Sequence, residues 1–150
     1  MQRGGCSGQV AALMDEGAPG SSKDMSSGLY LPTRLSLGSR QRMKEDERTL
    51  EVWESWSECM ANKGYEFQTP YDPLEDERFA GDGAATQLEI DTAVADVECK
   101  HETNVLGVMY GVNVEYEEML INEHFESLQV IEDWLTTATD RYAELLAEHG

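Results

Sequence analysis

Residues 50–64 read LEVWESWSECMANKG, and this stretch decides the fold class. Its large apolar residues recur at intervals of three and four, which is the spacing of one face of an α-helix. The pattern starts upstream at Met43 and continues through Trp53, Trp56 and Met60. A lysine followed by a glycine closes the stretch, which is a typical helix ending. The pattern predicts a first helix over about 40–63.

Two further helices follow from the downstream sequence. Residues 86–89 read TQLE and match a capping box, in which a threonine hydroxyl and a glutamate carboxylate satisfy amides at a helix start. Ile90, Val94, Val97 and His101 then recur at helical spacing and predict the buried face of a helix over about 87–102. A longer periodic stretch predicts a final helix over about 105–148. The fold class is therefore mainly α, a three-helix arrangement with a long last helix.

The amino-terminal part of the chain differs in composition. Residues 1–38 are rich in glycine and serine and lack a sustained apolar period, so they cannot bury enough surface to offset their ordering entropy. We expect a flexible leader over 1–38 and an acidic helical domain over 39–150. Residues 29–37, LYLPTRLSL, are locally apolar and are expected to dock on that domain as an extended strap.

Charge is the strongest feature of the composition. The 150 residues carry 11 Lys and Arg against 30 Asp and Glu, a formal net charge of −19 at pH 7. Nucleic-acid binding needs a surplus of basic residues, and an anionic bilayer attracts basic surfaces, so both are excluded as partners of this surface. No stretch approaches the roughly 20 apolar residues of a membrane span. The negative field instead favours cationic ligands.

The three cysteines fall into two groups. Cys59 and Cys99 lie late in the first two predicted helices, and from spacing alone a disulfide and two buried thiols are equally good interpretations. Cys6 follows Gly4-Gly5, as the lipid-accepting cysteine of an exported lipoprotein follows small residues. We therefore expect Cys6 to be the lipidated residue.

Motifs for catalysis and metal binding are weak. The sequence has no nucleophile elbow, phosphate-binding loop or dinucleotide fingerprint, so we predict no enzyme and no cofactor. Glu98 and His101 have the spacing of a metal-ligand pair, but no second pair accompanies them, and a partly buried histidine is favoured. The acidic loop around Asp72 lacks the spacing of a calcium loop. We predict a solvated acidic loop and no metal site.

Two sequence blocks carry a resemblance. Residues 56–65, WSECMANKGY, and residues 93–100, AVADVECK, together resemble a group of small exported actinobacterial lipoproteins. Their shared pattern is W-x-x-C-M-x-x-x-G-Y, a proline-containing loop, A-x-A-D-x-x-C-K and a long acidic helix. The resemblance covers about residues 50–150. It implies a helical protein with a Cys59–Cys99 disulfide, held by lipid at the outer face of the cell membrane.

Some members of this group lie beside lantibiotic biosynthesis genes, and the resemblance implies a self-immunity lipoprotein that sequesters a cationic lanthipeptide. The alternative function is an accessory or structural envelope lipoprotein that docks on a membrane protein such as a transporter. We expect a monomer. From the residues themselves, we expect the peptide to contact an aromatic and acidic loop. Its members are Tyr65, Phe67, Tyr71, Asp72, Glu75, Asp76 and Glu77.

Overall fold

The computed structural model describes residues 5–16, 28–80 and 83–149. Its helices, in chain order, are α1 (Gly5–Met14), α2 (Leu31–Glu45), α3 (Glu47–Asn62), the short α4 (Asp72–Glu75), a 3₁₀ turn (Glu77–Phe79), α5 (Gln87–Thr103), α6 (Val105–Glu123) and α7 (Phe125–His149). The protein is mainly α-helical, and a disulfide joins Cys59 to Cys99, as predicted.

The chain divides into two compact units. One contains Met1–Gly38 together with Glu117–Gly150, and the other contains Ser39–Tyr116. The first therefore combines the predicted leader with most of the predicted final helix. The glycine- and serine-rich stretch 17–27 of that leader lies outside the described residues.

The first predicted helix is two helices in the structure. Asp46 has an extended backbone and accepts a hydrogen bond from the Arg48 amide, so it caps α3 and separates it from α2. Helix α2 begins at Leu31, with Pro32 in its first turn, where proline is well tolerated. The extended strap predicted over 29–37 is therefore wrong from Leu31 onward, because this segment continues as helix.

The core of the Ser39–Tyr116 unit lies between α3 and α5. Trp56 and Met60 of α3 are fully buried against Ala95 and Cys99 of α5 and Val105 of α6. The Trp56 Nε1 donates a hydrogen bond of 3.1 Å to Asp96, three residues before the point where Cys59 is bonded to Cys99. The hydrogen bond and the disulfide therefore join α3 to α5 at two points that are three residues apart on each helix.

Helix α5 has the predicted ends but the opposite buried face. Thr86 and Glu89 form the predicted capping box, and Asn104 ends the helix in the left-handed conformation. The buried residues are Thr92, Ala95 and Cys99, whereas the stripe predicted to be buried, from Ile90 to His101, is exposed. The disulfide explains this orientation. It holds the Cys59 and Cys99 Cα atoms 5.7 Å apart, so α5 lies close to α3 and presents small side chains to Trp56 and Met60.

The predicted final helix is divided at His124 into α6 and α7. Backbone hydrogen bonds continue across the division, from the His124 amide to Leu120 and from the Leu128 amide to His124, so the interruption is confined to one residue. At the start of α6 the side chain of Asn104 lies over Gly107, where a Cβ atom would collide with it. A larger residue at position 107 would therefore require the Asn104 side chain to move.

Within the other unit, α7 buries Ile131, Trp134 and Ala138. The amino-terminal helix α1 packs against α7, and Arg141 forms ion pairs of 3.0 Å with Glu16 beside α1 and with Glu144 of its own helix. Residues of the predicted leader therefore contact the distal part of α7, whose Tyr142 and Leu146 are still about half exposed. Among the described helices, none combines the length and apolarity needed to cross a membrane.

Candidate functional site: an acidic helix face and its groove

The loop after α3 contains the residues expected to contact a peptide, and several of them are used by the fold. Phe67 is buried in the core, and Tyr65 packs half-buried against the same core. Tyr71 stands edge-on to Trp53 with ring centroids 5.8 Å apart, and the ammonium group of Lys44 lies 4.4 Å from the centre of its ring. These aromatic side chains anchor the loop to α2 and α3.

Asp72 closes the first turn of this loop. Its carboxylate accepts hydrogen bonds from the amides of Gln68 and Thr69 at 2.7 and 2.9 Å and from the Thr69 hydroxyl at 2.5 Å. Partial burial raises the pKa of Asp72, but these hydrogen bonds outweigh burial and leave the pKa below its usual value. The carboxylate is thus an ionised structural acceptor.

Asp76 has a similar role in the second turn. It caps the 3₁₀ turn by accepting from the Arg78 amide, and its carboxylate pairs with the Arg78 guanidinium at 2.5 Å, which lowers the pKa of Asp76. Glu75 and Glu77, in contrast, are exposed. Peptide binding by this loop stays a prediction, and of the four acidic residues predicted to contact the peptide, Glu75 and Glu77 are the exposed ones.

A larger acidic surface lies on α3. Glu47, Glu51, Glu54 and Glu58 recur at intervals of four, three and four residues, so they line one face of the helix. All four are exposed and lie opposite the buried residues Thr49, Val52, Trp56 and Met60. Within the described part of the chain, none of the four carboxylates forms an ion pair. We call these four residues the α3 acidic face.

An open groove runs beside this face, between α3 and the start of the loop. Its volume is about 580 Å³, and it is lined by Leu50, Trp53, Glu54, Ser57, Glu58, Gln68 and Thr69. Leu50 is half exposed and Trp53 is partly exposed, so the groove offers apolar surface next to two carboxylates. The Ser57 hydroxyl donates to the Phe67 carbonyl at 2.6 Å, which fixes the loop against the helix.

An ion-pair network supports the amino end of α3. Arg48 pairs with Asp46 at 2.9 Å and with Glu115 of α6 at 2.8 Å, and the Tyr116 hydroxyl donates to Asp46 at 2.9 Å. Hydrogen bonding from the Arg48 side chain lowers the pKa of Asp46 to about 2. The same carboxylate raises the pKa of Tyr116. The network fixes α3 relative to α6 and so holds the acidic face in place.

The remaining cysteine and the histidine singled out in the sequence do not form a metal site with other residues that the structure describes. Cys6 is an exposed thiol on α1, and His101 is exposed near the end of α5. Across residues 5–16, 28–80 and 83–149, no three His, Cys, Asp or Glu side chains are grouped so that they could hold a metal ion.

Comparisons of the chain with protein-family models, with curated proteins and with solved structures found no match. The site must therefore be interpreted from its own chemistry.

Sequence reasoning missed the α3 acidic face. The four glutamates lie within the stretch that predicted the first helix, and their spacing of four, three and four was available there. The apolar periodicity of that stretch determines which side of the helix is buried, and the four glutamates then lie on the opposite side. The groove itself requires the fold of the loop, which spacing does not give.

Proposed function

We propose that this protein is an exported, lipid-anchored immunity protein that sequesters a cationic lantibiotic peptide without making or breaking a covalent bond. The proposal depends on one observation, the α3 acidic face beside a groove with Leu50 and Trp53 in its wall. An amphipathic cationic peptide offers positive charge and apolar side chains together, and this surface provides a partner for each.

The charge distribution supports capture of a cation. Four unpaired carboxylates along one helix face add their fields, and the net charge of −19 strengthens the field at longer range. Such a field raises the rate at which oppositely charged ligands arrive, and apolar contact then slows their release. The groove therefore combines the two contributions that retention of a peptide needs.

The cysteines support an exported, anchored protein. Disulfides persist mainly in oxidising compartments, and Cys59–Cys99 joins the two helices that form the core. Cys6 is exposed, as a residue that accepts lipid must be. In the proposed arrangement the lipid on Cys6 holds the acidic face near the outer membrane surface, where a membrane-directed peptide arrives.

The peptide-binding test is a titration of the isotope-labelled, disulfide-bonded full chain with a cationic lantibiotic, followed by amide resonances. We expect shifts confined to residues 47–58 and 65–69. They should vanish in about 1 M salt, where the screening length falls to roughly 3 Å. The control ligand is the same peptide with its lysines acetylated, which removes positive charge without removing apolar surface. Equal shifts with both ligands, or no shifts, would refute the proposal.

The anchoring test compares cells that express the chain behind a lipoprotein signal with cells that express the Cys6→Ser variant. We expect the first protein in the membrane fraction, with a lipid mass on Cys6, and the variant in the released fraction. Equal membrane association of the two proteins would contradict anchoring through Cys6 and would leave the peptide-binding proposal unaffected.

A further inference from the structure

A second surface of the Ser39–Tyr116 unit lies on α5 and is apolar. Ile90, Val94 and Val97 are 46, 53 and 65% exposed, and their spacing of four and three residues places them on one line along the helix. We call these three residues the α5 stripe. Large aliphatic side chains aligned on an exposed helix face mark an interaction surface, whereas single exposed ones do not.

The exposure of the α5 stripe is fixed by the fold. The opposite face of α5, with Thr92, Ala95 and Cys99, is buried, and Cys99 is covalently bonded to α3. Helix α5 therefore cannot rotate about its axis to bury the larger side chains without breaking the disulfide. The stripe can therefore be buried only if another surface covers it.

The two edges of the stripe differ in charge. Asp91, Glu98 and Glu102 are spaced by seven and four residues, so they follow one edge. Lys63 of α3 pairs with Glu98 at 2.7 Å and offsets one of these three charges. On the other edge Lys100 and Asp96 form an ion pair of 2.6 Å and balance each other, and Glu89 is engaged in the capping box with Thr86. The surface is thus an apolar line whose accessible negative charge is greater along the edge with Asp91, Glu98 and Glu102.

This pattern selects among the surfaces that could cover the stripe. A second copy of the chain carries the same charge of −19, and an anionic bilayer is also negative, so both are repelled. A helix with an apolar face and basic residues along one edge matches both parts of the pattern. We propose that the α5 stripe docks such a basic amphipathic helix of a partner protein, separately from the α3 acidic face.

The test uses the full chain and two synthetic helical peptides as probes. Both peptides carry leucine on one face, and the other face carries lysine in one peptide and glutamate in the other. We expect the Leu/Lys peptide to shift the amide resonances of residues 87–103, and the Leu/Glu peptide to leave them in place. Equal shifts from both peptides, or no shifts from either, would overturn the proposal.

The variant Val94→Ser/Val97→Ser should weaken Leu/Lys binding at residues 87–103 about tenfold, because it removes the centre of the stripe. The matched control is Leu74→Ser/Leu106→Ser, which replaces two exposed leucines elsewhere in the unit and should change affinity less than about twofold. Equal losses in the two variants would contradict docking on the stripe. So would a dimer of the wild-type chain, detected by sedimentation, that the Val94→Ser/Val97→Ser variant abolishes.

The α3 acidic face serves as an internal reference. The Val94→Ser/Val97→Ser variant should keep its lantibiotic-induced shifts at residues 47–58. Failure of peptide capture on α3 is therefore distinguishable from failure of docking on α5.

Discussion

The two units of this protein are stabilised in different ways. In the Ser39–Tyr116 unit, the fully buried Trp56 donates a hydrogen bond to Asp96 and a disulfide links the same two helices. In the unit of Met1–Gly38 and Glu117–Gly150, Trp134 is also buried, but its Nε1 has no hydrogen-bond partner among the described residues. The Ser39–Tyr116 unit also leaves the buried Thr49 Oγ1 and Asn113 Oδ1 without a partner among the described residues, so the units differ in the disulfide and the paired indole, which join the two helices that carry the proposed binding surfaces. Binding surfaces on rigid elements need less ordering when a ligand arrives.

Trp56→Ala should have the largest effect on stability. It removes the largest side chain of the core and its hydrogen bond, so we expect a loss of about 3–5 kcal/mol in the free energy of unfolding. Chemical denaturation followed by circular dichroism measures it. A loss below about 1 kcal/mol would show that Trp56 does not organise this unit.

Reduction of Cys59–Cys99 should have the next largest effect. The bond spans 40 residues, and the chain-entropy model gives a contribution of about 3–4 kcal/mol. Denaturation with and without a phosphine reductant measures the difference, and the Cys6→Ser variant is the control for effects on the third thiol. An unchanged free energy of unfolding after reduction would mean that the disulfide does not stabilise the Ser39–Tyr116 unit.

A matched pair of substitutions isolates the indole hydrogen bond. Trp56→Phe removes the indole donor from the Asp96 carboxylate, which keeps its ion pair with Lys100. We expect it to cost about 1.5–3 kcal/mol more than Trp134→Phe, which removes a donor that has no partner among the described residues. Denaturation curves of the two variants give the difference. Equal costs would mean that the two buried indoles are equivalent and that the units do not differ in this respect.

The smallest effect concerns pH and the cap of α3. The pKa of Asp46 is lowered from 3.8 to about 2, so its ionised form contributes stability above pH 3.8, and this contribution disappears as the pH falls through about 2. Asp46→Asn keeps an acceptor for the Arg48 amide and loses the charge. Its melting temperature should lie below that of wild type at pH 7 and approach it near pH 2. Asp140→Asn, on exposed α7 surface, is the control and should show no such convergence.

The helical class and the start of α5 could be predicted because their signals are local. The apolar period around Trp56 and the capping box at Thr86 each involve residues within a few turns. The buried face of α5 could not be predicted in this way. The hydrophobic periodicity of α5 favours burial of Ile90, Val94 and Val97. The disulfide instead brings α5 close to α3, and the side chains buried together with Cys99 are the small Thr92 and Ala95. That constraint acts between helices and overrides the period.

The candidate site could likewise be predicted only in part from the sequence. Charge alone predicted a cationic ligand, and aromatic residues next to acids pointed to the loop at 65–77. The structure uses Phe67 in the core and Asp72 and Asp76 as turn acceptors, because a loop rich in proline must satisfy its backbone groups with its own side chains. Which carboxylates remain accessible is decided by this local hydrogen bonding, and it leaves the α3 acidic face as the larger unpaired surface.

The most direct test of peptide capture compares two triple variants with equal net charge. Glu51→Gln/Glu54→Gln/Glu58→Gln removes three charges from the α3 acidic face, and Glu118→Gln/Glu123→Gln/Glu126→Gln removes three exposed charges from the other unit. Calorimetric titration with a cationic lantibiotic should show affinity about tenfold weaker for the first variant and within about twofold of wild type for the second. Equal affinities of the two variants would contradict a localised site on α3.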